Sequence, residues 1–126
     1  MGSTSVRSEE GGTLMNVTCT WEFALISNDE TTDIPGDLDR VMSELLALEA
    51  CTSALTDSAI GLDLAEMSAE ISVSVEAESP EAAIALAMGS IRTAIHAAGG
   101  STAGWPSVSD VVGTGIVFEP RQLTAV

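Results

Sequence analysis

Residues 69–100, AEISVSVEAESPEAAIALAMGSIRTAIHAAGG, decide the fold because their hydrophobic period changes in the middle. In the first part, apolar residues alternate with Glu and Ser, and this period of two predicts a strand with one buried face. After Ser79-Pro80 the apolar residues recur every three or four positions, which predicts a helix. Ser79 suits the N-cap and Pro80 the first helical position, while Gly99-Gly100 provides a stop. We therefore expect a strand, a sharp corner and a long helix.

The preceding sequence predicts another strand and another helix. Residues 14–25 alternate in the same way and fit a strand with one buried face. A helix is expected from about Pro35 to Ser53 or Leu55, since its apolar residues form one stripe at helical spacing. Glu49 falls inside that stripe, which predicts that the helix frays or turns before it. The buried strand positions are Met15, Val17, Cys19, Trp21, Phe23 and Leu25, and the helix stripe is Leu38, Val41, Met42, Leu45, Leu48 and Thr52.

Two further strands complete the pattern. Ile60, Leu62 and Leu64 face one way on a strand that precedes the quoted stretch, and a short turn near residues 66–69 joins the two. The last strand is expected within SDVVGTGIVFEP, residues 109–120, where two glycines weaken the pattern and the final proline is expected to close it.

The resulting order of elements is strand, helix, strand, strand, helix, strand over residues 13–119, which resembles the ferredoxin-like split βαβ sandwich. The resemblance rests on element order and implies an α+β fold, β-α-β-β-α-β, with a four-stranded antiparallel sheet and two helices on one face. It also implies that the first and third strands are central, in agreement with their long alternating faces. Residues 1–12 are expected to form a flexible N-terminal segment, and residues 13–126 a single α+β domain.

The charge balance limits the possible partners. Nineteen acidic residues face four basic ones, giving a net charge of -15. Such a chain repels phosphate backbones and anionic bilayers, so we expect no nucleic-acid or membrane partner. The longest apolar segment is interrupted by Arg92 and is too short to cross a membrane. Two cysteines in unlike contexts do not form a disulfide framework, and a reducing, cytoplasmic location is expected.

The residues that most catalytic sites require are missing. The chain has no lysine, which excludes a P-loop lysine, a Schiff base and a lysine general base. The single histidine, His96, falls away from the inward stripe of its helix, and we expect it to be exposed and not catalytic. Neither Cys19 nor Cys51 has an evident base that would activate a thiolate. We therefore predict a protein that is not an enzyme and has no cofactor or metal centre.

One segment has the composition of a cation site. Asn28–Asp33, NDETTD, is rich in oxygen ligands that suit calcium. It lacks the glycine of an EF-hand loop, and Arg40 stands near the place of the closing glutamate. A solvated turn that caps the following helix is the favoured alternative.

The sheet face that points away from the helices is expected to be polar. Its residues are Thr18, Thr20, Glu22, Glu70, Ser72, Ser74 and Glu76. Carboxylates on an open sheet face are hydrated, and they serve acid–base chemistry only where burial separates their pKa values. The hydroxyl groups are able to bind a small polar ligand.

The second helix has an unusual outward side. Between Pro80 and Gly99 only Glu81, Arg92 and His96 are ionisable, whereas the first helix has a normal charged exterior. A helix that is weakly polar all round is usually buried all round. Gly89 sits in the helix interior, where glycine costs about 1 kcal/mol relative to alanine. The outward side consists of Ala82, Ala85, Leu86, Gly89, Thr93, His96 and Ala97.

These observations favour a non-enzymatic protein-interaction or oligomerisation module that makes contact through this outward side. The partner is expected to be a second copy, giving a homo-oligomer such as a dimer, or another protein. Filling of an exposed helix with alanine through GC-rich coding is the competing explanation. Two alternative functions remain open: a small-ligand-sensing regulatory domain, and an acidic decoy or inhibitor of a basic, nucleic-acid-binding protein.

Overall fold

The computed structural model describes residues 14–27, 33–102 and 116–126, which form an α+β fold. The sheet order is β2-β3-β1-β5-β4; the four long strands are antiparallel to their neighbours, and only the two-residue β4 pairs in parallel, with β5. The predicted antiparallel sheet and two helices are thus confirmed. In chain order the elements are β1 (Met15–Ile26), α1 (Ile34–Cys51), β2 (Leu55–Asp63), β3 (Ser68–Ala77), α2 (Pro80–Ala97), β4 (Ser101–Thr102) and β5 (Val117–Ala125).

The core lies between the helices and one face of the sheet. Strands β1 and β3 are interior, as predicted, and their register pairs Cys19 with Val73 and Trp21 with Ile71. These positions are buried because the period of two places every second side chain under the helices. The rings of Phe23 and Phe118 pack edge to face, with centroids 5.7 Å apart, so the core continues onto β5.

Helix α2 begins and ends as its sequence predicts. The Ser79 hydroxyl accepts a hydrogen bond from the backbone N–H of Ala82, Pro80 is the first helical residue, and Gly99 follows the helix with a φ of 95°. Its inward alanines are fully buried, which lets the helix lie close to the sheet. The buried residues of the inward stripe are Ala83, Ala87, Ile91, Ala94 and Ile95.

The prediction that the first helix frays before Glu49 is wrong. Helix α1 continues to Cys51, and the half-buried Glu49 carboxylate accepts a 2.9 Å hydrogen bond from the backbone N–H of Ser58. Strand β2 carries one extra residue there, between Thr56 and Ala59, and Asp57 has a φ of 53°. Such a bulge leaves backbone groups without ladder partners, and Glu49 satisfies one of them. The acid in the apolar stripe therefore anchors the bulge of the edge strand.

The prediction that Pro120 closes the last strand is also wrong, because β5 continues to Ala125. Pro120 pairs with Phe23, whereas Gln122 pairs with Glu22, so Arg121 is an extra residue in β5. Proline lacks the N–H that a regular ladder needs and is tolerated at bulges. The strand thus passes the proline by bulging next to it.

Some predicted features lie outside the described residues. They are the flexible segment 1–12, the candidate cation loop except for Asp33, and the part of the last predicted strand before residue 116. Asp33 itself is the N-cap of α1, and its carboxylate accepts a hydrogen bond from Gly36 N–H at 3.2 Å. Asp33 therefore caps the helix, as the favoured alternative to a calcium site predicts.

Candidate functional site: the outer face of helix α2 and the open face of the sheet

The outward side of α2, here called the α2 outer face, comprises Ala82, Ala85, Leu86, Gly89, Thr93, His96 and Ala97. Leu86 is 39% exposed, and Ala82, Ala85, Thr93 and Ala97 are exposed as well. The ionisable Glu81 and Arg92 lie on one flank of the helix, since 100° per residue places them between the inward and outward sides. One side of α2 is thus buried against the rest of the described chain, and the opposite side, which is almost uncharged, is exposed to solvent.

Gly89 leaves one position of the α2 outer face without a side chain. No atom from another part of the described chain lies within 4 Å of the Cβ that a larger residue would place there. The packing of the monomer therefore does not require glycine at this position. A glycine in a helix interior lets a second backbone approach closely. Such an approach would offset the conformational free energy that glycine costs the helix.

His96 is less exposed than its position in the sequence predicts. Its imidazole is half-buried, and Nε2 lies 3.2 Å from the Thr102 hydroxyl on β4. Burial, and secondarily the positive charge of Arg92, lower the pKa of His96 from the ordinary value of 6.5. The residue therefore joins the end of α2 to β4, and this contact holds its side chain at the edge of the α2 outer face.

The open face of the sheet carries a double row of hydroxyl groups. Thr18 and Ser74 are cross-strand neighbours with their oxygens 2.8 Å apart, and the oxygens of Thr20 and Ser72 are 2.6 Å apart. Ser74 is only 5% exposed, so its predicted accessibility is wrong. These pairs stabilise the β1–β3 ladder, and each pair keeps one O–H donor that its own hydrogen bond does not use.

Carboxylates gather at one end of this open face, here called the acidic end and made up of Glu22, Asp63, Glu66 and Glu70. Glu22 and Glu70 are direct cross-strand partners, and both are exposed. Like charges in such a pair repel. Small residues in β1, β2 and β3 leave two shallow, adjoining depressions of about 350 and 320 Å³ beside these acids. Arg121 borders the larger one and forms an ion pair with Glu119 at 2.9 Å.

The two thiols differ in their surroundings, as the sequence indicates. Both cysteines are free; Cys19 is fully buried and Cys51 is exposed at the end of α1. Burial raises the pKa of the Cys19 thiol, which favours its unreactive protonated form. Across the three described segments, histidine, cysteine and acidic side chains form no group of three suited to a metal ion. Neither α1 nor α2 is long and apolar enough to cross a bilayer.

The structure places the predicted site residues on one continuous helix side, with His96 at its border. Sequence reasoning missed two features of the surroundings, the bond from His96 to Thr102 and the acids brought together across three strands. The second could have been found from the predicted register, because pairing β1 with β3 places Glu22 opposite Glu70. Comparisons of the chain with models of known families, with curated proteins and with solved structures found no match.

Proposed function

We propose that this protein is a non-enzymatic oligomerisation module whose copies pair through the α2 outer face. The observation that carries the proposal is an exposed and almost uncharged helix side on a chain of net charge -15. Exposed Leu86 supplies apolar area, and Gly89, about one helical turn further along α2, has no side chain that would hold a second helix away. A two-fold pairing would set each Leu86 near the Gly89 of the other copy.

The size of this surface sets the expected affinity. The 18 residues of α2 span about 27 Å, so a contact about 10 Å wide buries roughly 270 Å² per copy. Stable interfaces bury about 800 Å² per partner. The contact is therefore expected to be weak, with a Kd in the micromolar to millimolar range.

The test compares two leucines that are both exposed. Leu86→Glu places a charge on the α2 outer face, whereas Leu64→Glu adds the same charge in the turn between β2 and β3, where Leu64 is 51% exposed. Light scattering on a sizing column, run from about 10 µM to about 1 mM protein, gives the mass of each variant. We expect the wild type and Leu64→Glu to gain mass with concentration and Leu86→Glu to remain a monomer. A wild-type mass that Leu86→Glu does not change would contradict the proposal.

A second candidate function is favoured by the acidic end of the sheet. Exposed carboxylates beside two shallow depressions suit a basic segment of another protein, as a decoy or inhibitor would require. Glu22→Gln combined with Glu70→Gln should then weaken binding of a lysine-rich peptide, and salt should weaken it as well. Equal binding by the double variant and the wild type would remove this candidate.

We further propose that the fold is the ferredoxin-like sandwich. The four long strands follow the order β2-β3-β1-β5, and the helices connect β1 to β2 and β3 to the following strands. This arrangement is compatible with a split βαβ sandwich. The additional strand β4 and its parallel pairing with β5 depart from the simple four-stranded pattern.

A further inference from the structure

The outer edge of β2 combines unpaired backbone with a one-sided charge. We infer that a basic, extended segment of another protein adds to this edge as a new strand and places alternate basic side chains against the acidic end. The inference rests on the second candidate function, the recognition of a basic segment by the acidic end. It goes further by assigning the edge strand, the extended conformation of the partner and the contact made by its backbone.

The first step is that β2 has an open edge. The sheet order is β2-β3-β1-β5-β4, and no described strand lies beyond β2. In an antiparallel pair every second residue directs its N–H and C=O away from the partner strand. The pairing of residues 59–63 with β3 is regular, so alternate residues there direct these groups outward. An edge of this kind accepts a further strand through backbone hydrogen bonds.

The second step is that only the later half of β2 is open in this way. In the earlier half the bulge between Thr56 and Ala59 interrupts the ladder, and the Ser58 N–H already donates to Glu49. In the later half, residues 59–62 include no charged residue and no proline, which are the residues that commonly protect an edge strand from pairing. The available edge is therefore the short stretch at residues 59–63.

The third step is that Gly61 gives a basic side chain a path from this edge to the acids. Gly61 is the cross-strand partner of Glu70, which is in turn the partner of Glu22, and all three line the depression of about 320 Å³. Neighbouring strands lie about 4.8 Å apart, so a residue of an added strand opposite Gly61 stands about 10 Å from Glu70. The side chain of a lysine or arginine, together with that of Glu70, covers this distance, and the glycine has no side chain in between.

The fourth step is that the charge around the edge favours a basic partner over a second copy. Strands β2 and β3 contain four acidic residues and no basic one. Two β2 edges from separate copies would bring these acids together, and like charges on neighbouring strands are destabilising. A segment in which basic and apolar residues alternate instead meets Glu70 and Asp63 on the open face. Its apolar residues, on the other face, continue the row of half-buried Ile60 and Leu62.

The experiment titrates the ¹⁵N-labelled protein with a capped peptide of about seven residues in which lysine and valine alternate, at about 0.05 M NaCl. A second peptide has the same sequence and charge but carries an N-methyl group on every internal residue, so it cannot donate backbone hydrogen bonds. We expect the second peptide to bind about tenfold more weakly or worse, because each lost hydrogen bond contributes to affinity. The amide signals of residues 59–63 should shift when the first peptide is added.

Two variants that lose the same charge locate the contact. Glu70→Gln removes the carboxylate opposite Gly61, whereas Glu76→Gln removes one from the same face of β3 about 20 Å along the strand. We expect Glu70→Gln to weaken binding of the first peptide about threefold, and Glu76→Gln to change it by less than about twofold. Far-ultraviolet circular dichroism establishes that both variants are folded.

Each outcome decides between the inference and the function on which it rests. Equal binding of the two peptides would overturn the added strand and leave recognition of basic segments in place. Equal effects of Glu70→Gln and Glu76→Gln would overturn the placement at this edge. If neither peptide binds, the inference and the second candidate function both fail. Signals of residues 59–63 that move with protein concentration before any peptide is added would assign the edge to a second copy and overturn the basic partner.

Discussion

Gly89→Ala should separate the stability of the fold from its self-association, because the two are expected to change in opposite directions. In the monomer an added methyl group meets open space, since no atom from elsewhere in the described chain comes within 4 Å of it. Alanine is favoured over glycine by about 1 kcal/mol in a helix interior. For a chain of this size that gain corresponds to a rise in Tm of about 4 °C.

The same methyl group should weaken pairing of two copies. If α2 packs against its counterpart at Gly89, the methyl group occupies the space between the two backbones and pushes the helices apart. The contacts around it are then lost, because dispersion attraction decreases steeply over a gap of even 1 Å. We expect the dimer Kd to rise at least threefold while the monomer becomes more stable.

Two assays on the same sample check this prediction. Urea unfolding at about 2 µM protein reports the monomer, since association at higher concentration would add its own stabilisation. Sedimentation velocity at high concentration reports the dimer. Greater stability with unchanged association would refute the reasoning that Gly89 is kept for a contact. Lower stability would refute the description of the site as open space within the monomer.

Three further predictions concern the monomer. Gly100→Ala should destabilise the fold by about 1–3 kcal/mol, because its Cβ would lie 2.9 Å from the Ile116 carbonyl oxygen, and a urea melt beside the unhindered Gly61→Ala checks this. Glu49→Ala should cost about 1–2 kcal/mol through the lost Ser58 N–H acceptor, whereas Asp39→Ala on the exposed side of α1 should be near neutral in the same melt. The lowered pKa of His96 means that the unfolded chain takes up this proton first, so stability should be full above 6.5 and decline as the pH falls through 6.5 towards the folded pKa. His96→Gln should remove this part of the pH dependence, and an identical pH profile in the variant would contradict the assignment.

The regular elements could be predicted because their residues repeat at the period of the structure. The alternation around Val73 and the capping sequence at Ser79 each determine a local conformation without reference to distant residues. The inward stripe of α2 could likewise be predicted, since apolar residues at helical spacing lie on one side of a helix and that side is buried.

The failures arise where a distant partner determines the outcome. Glu49 interrupts the apolar stripe, and this interruption suggests a helix end. The partner that accounts for it, the Ser58 N–H, is available only because β2 has a bulge, and sequence periodicity does not reveal a bulge. Pro120 suggests a strand end because proline cannot donate to a regular ladder. The bulge that lets β5 continue, with Arg121 as its extra residue, is again not visible in the sequence pattern. The burial of Ser74 depends on tertiary packing, which the pattern of polar residues does not record.

A dilution series of ¹⁵N–¹H correlation spectra at about 0.3 M NaCl tests the α2 contact most directly, because it needs no substitution. Amide signals of Leu86, Gly89 and Thr93 should shift progressively with protein concentration, while those of Glu22 and Glu70 on the far side of the sheet should stay fixed. Spectra in which the α2 signals do not move with concentration, or in which the sheet signals move instead, would contradict the proposal that copies meet at this helix.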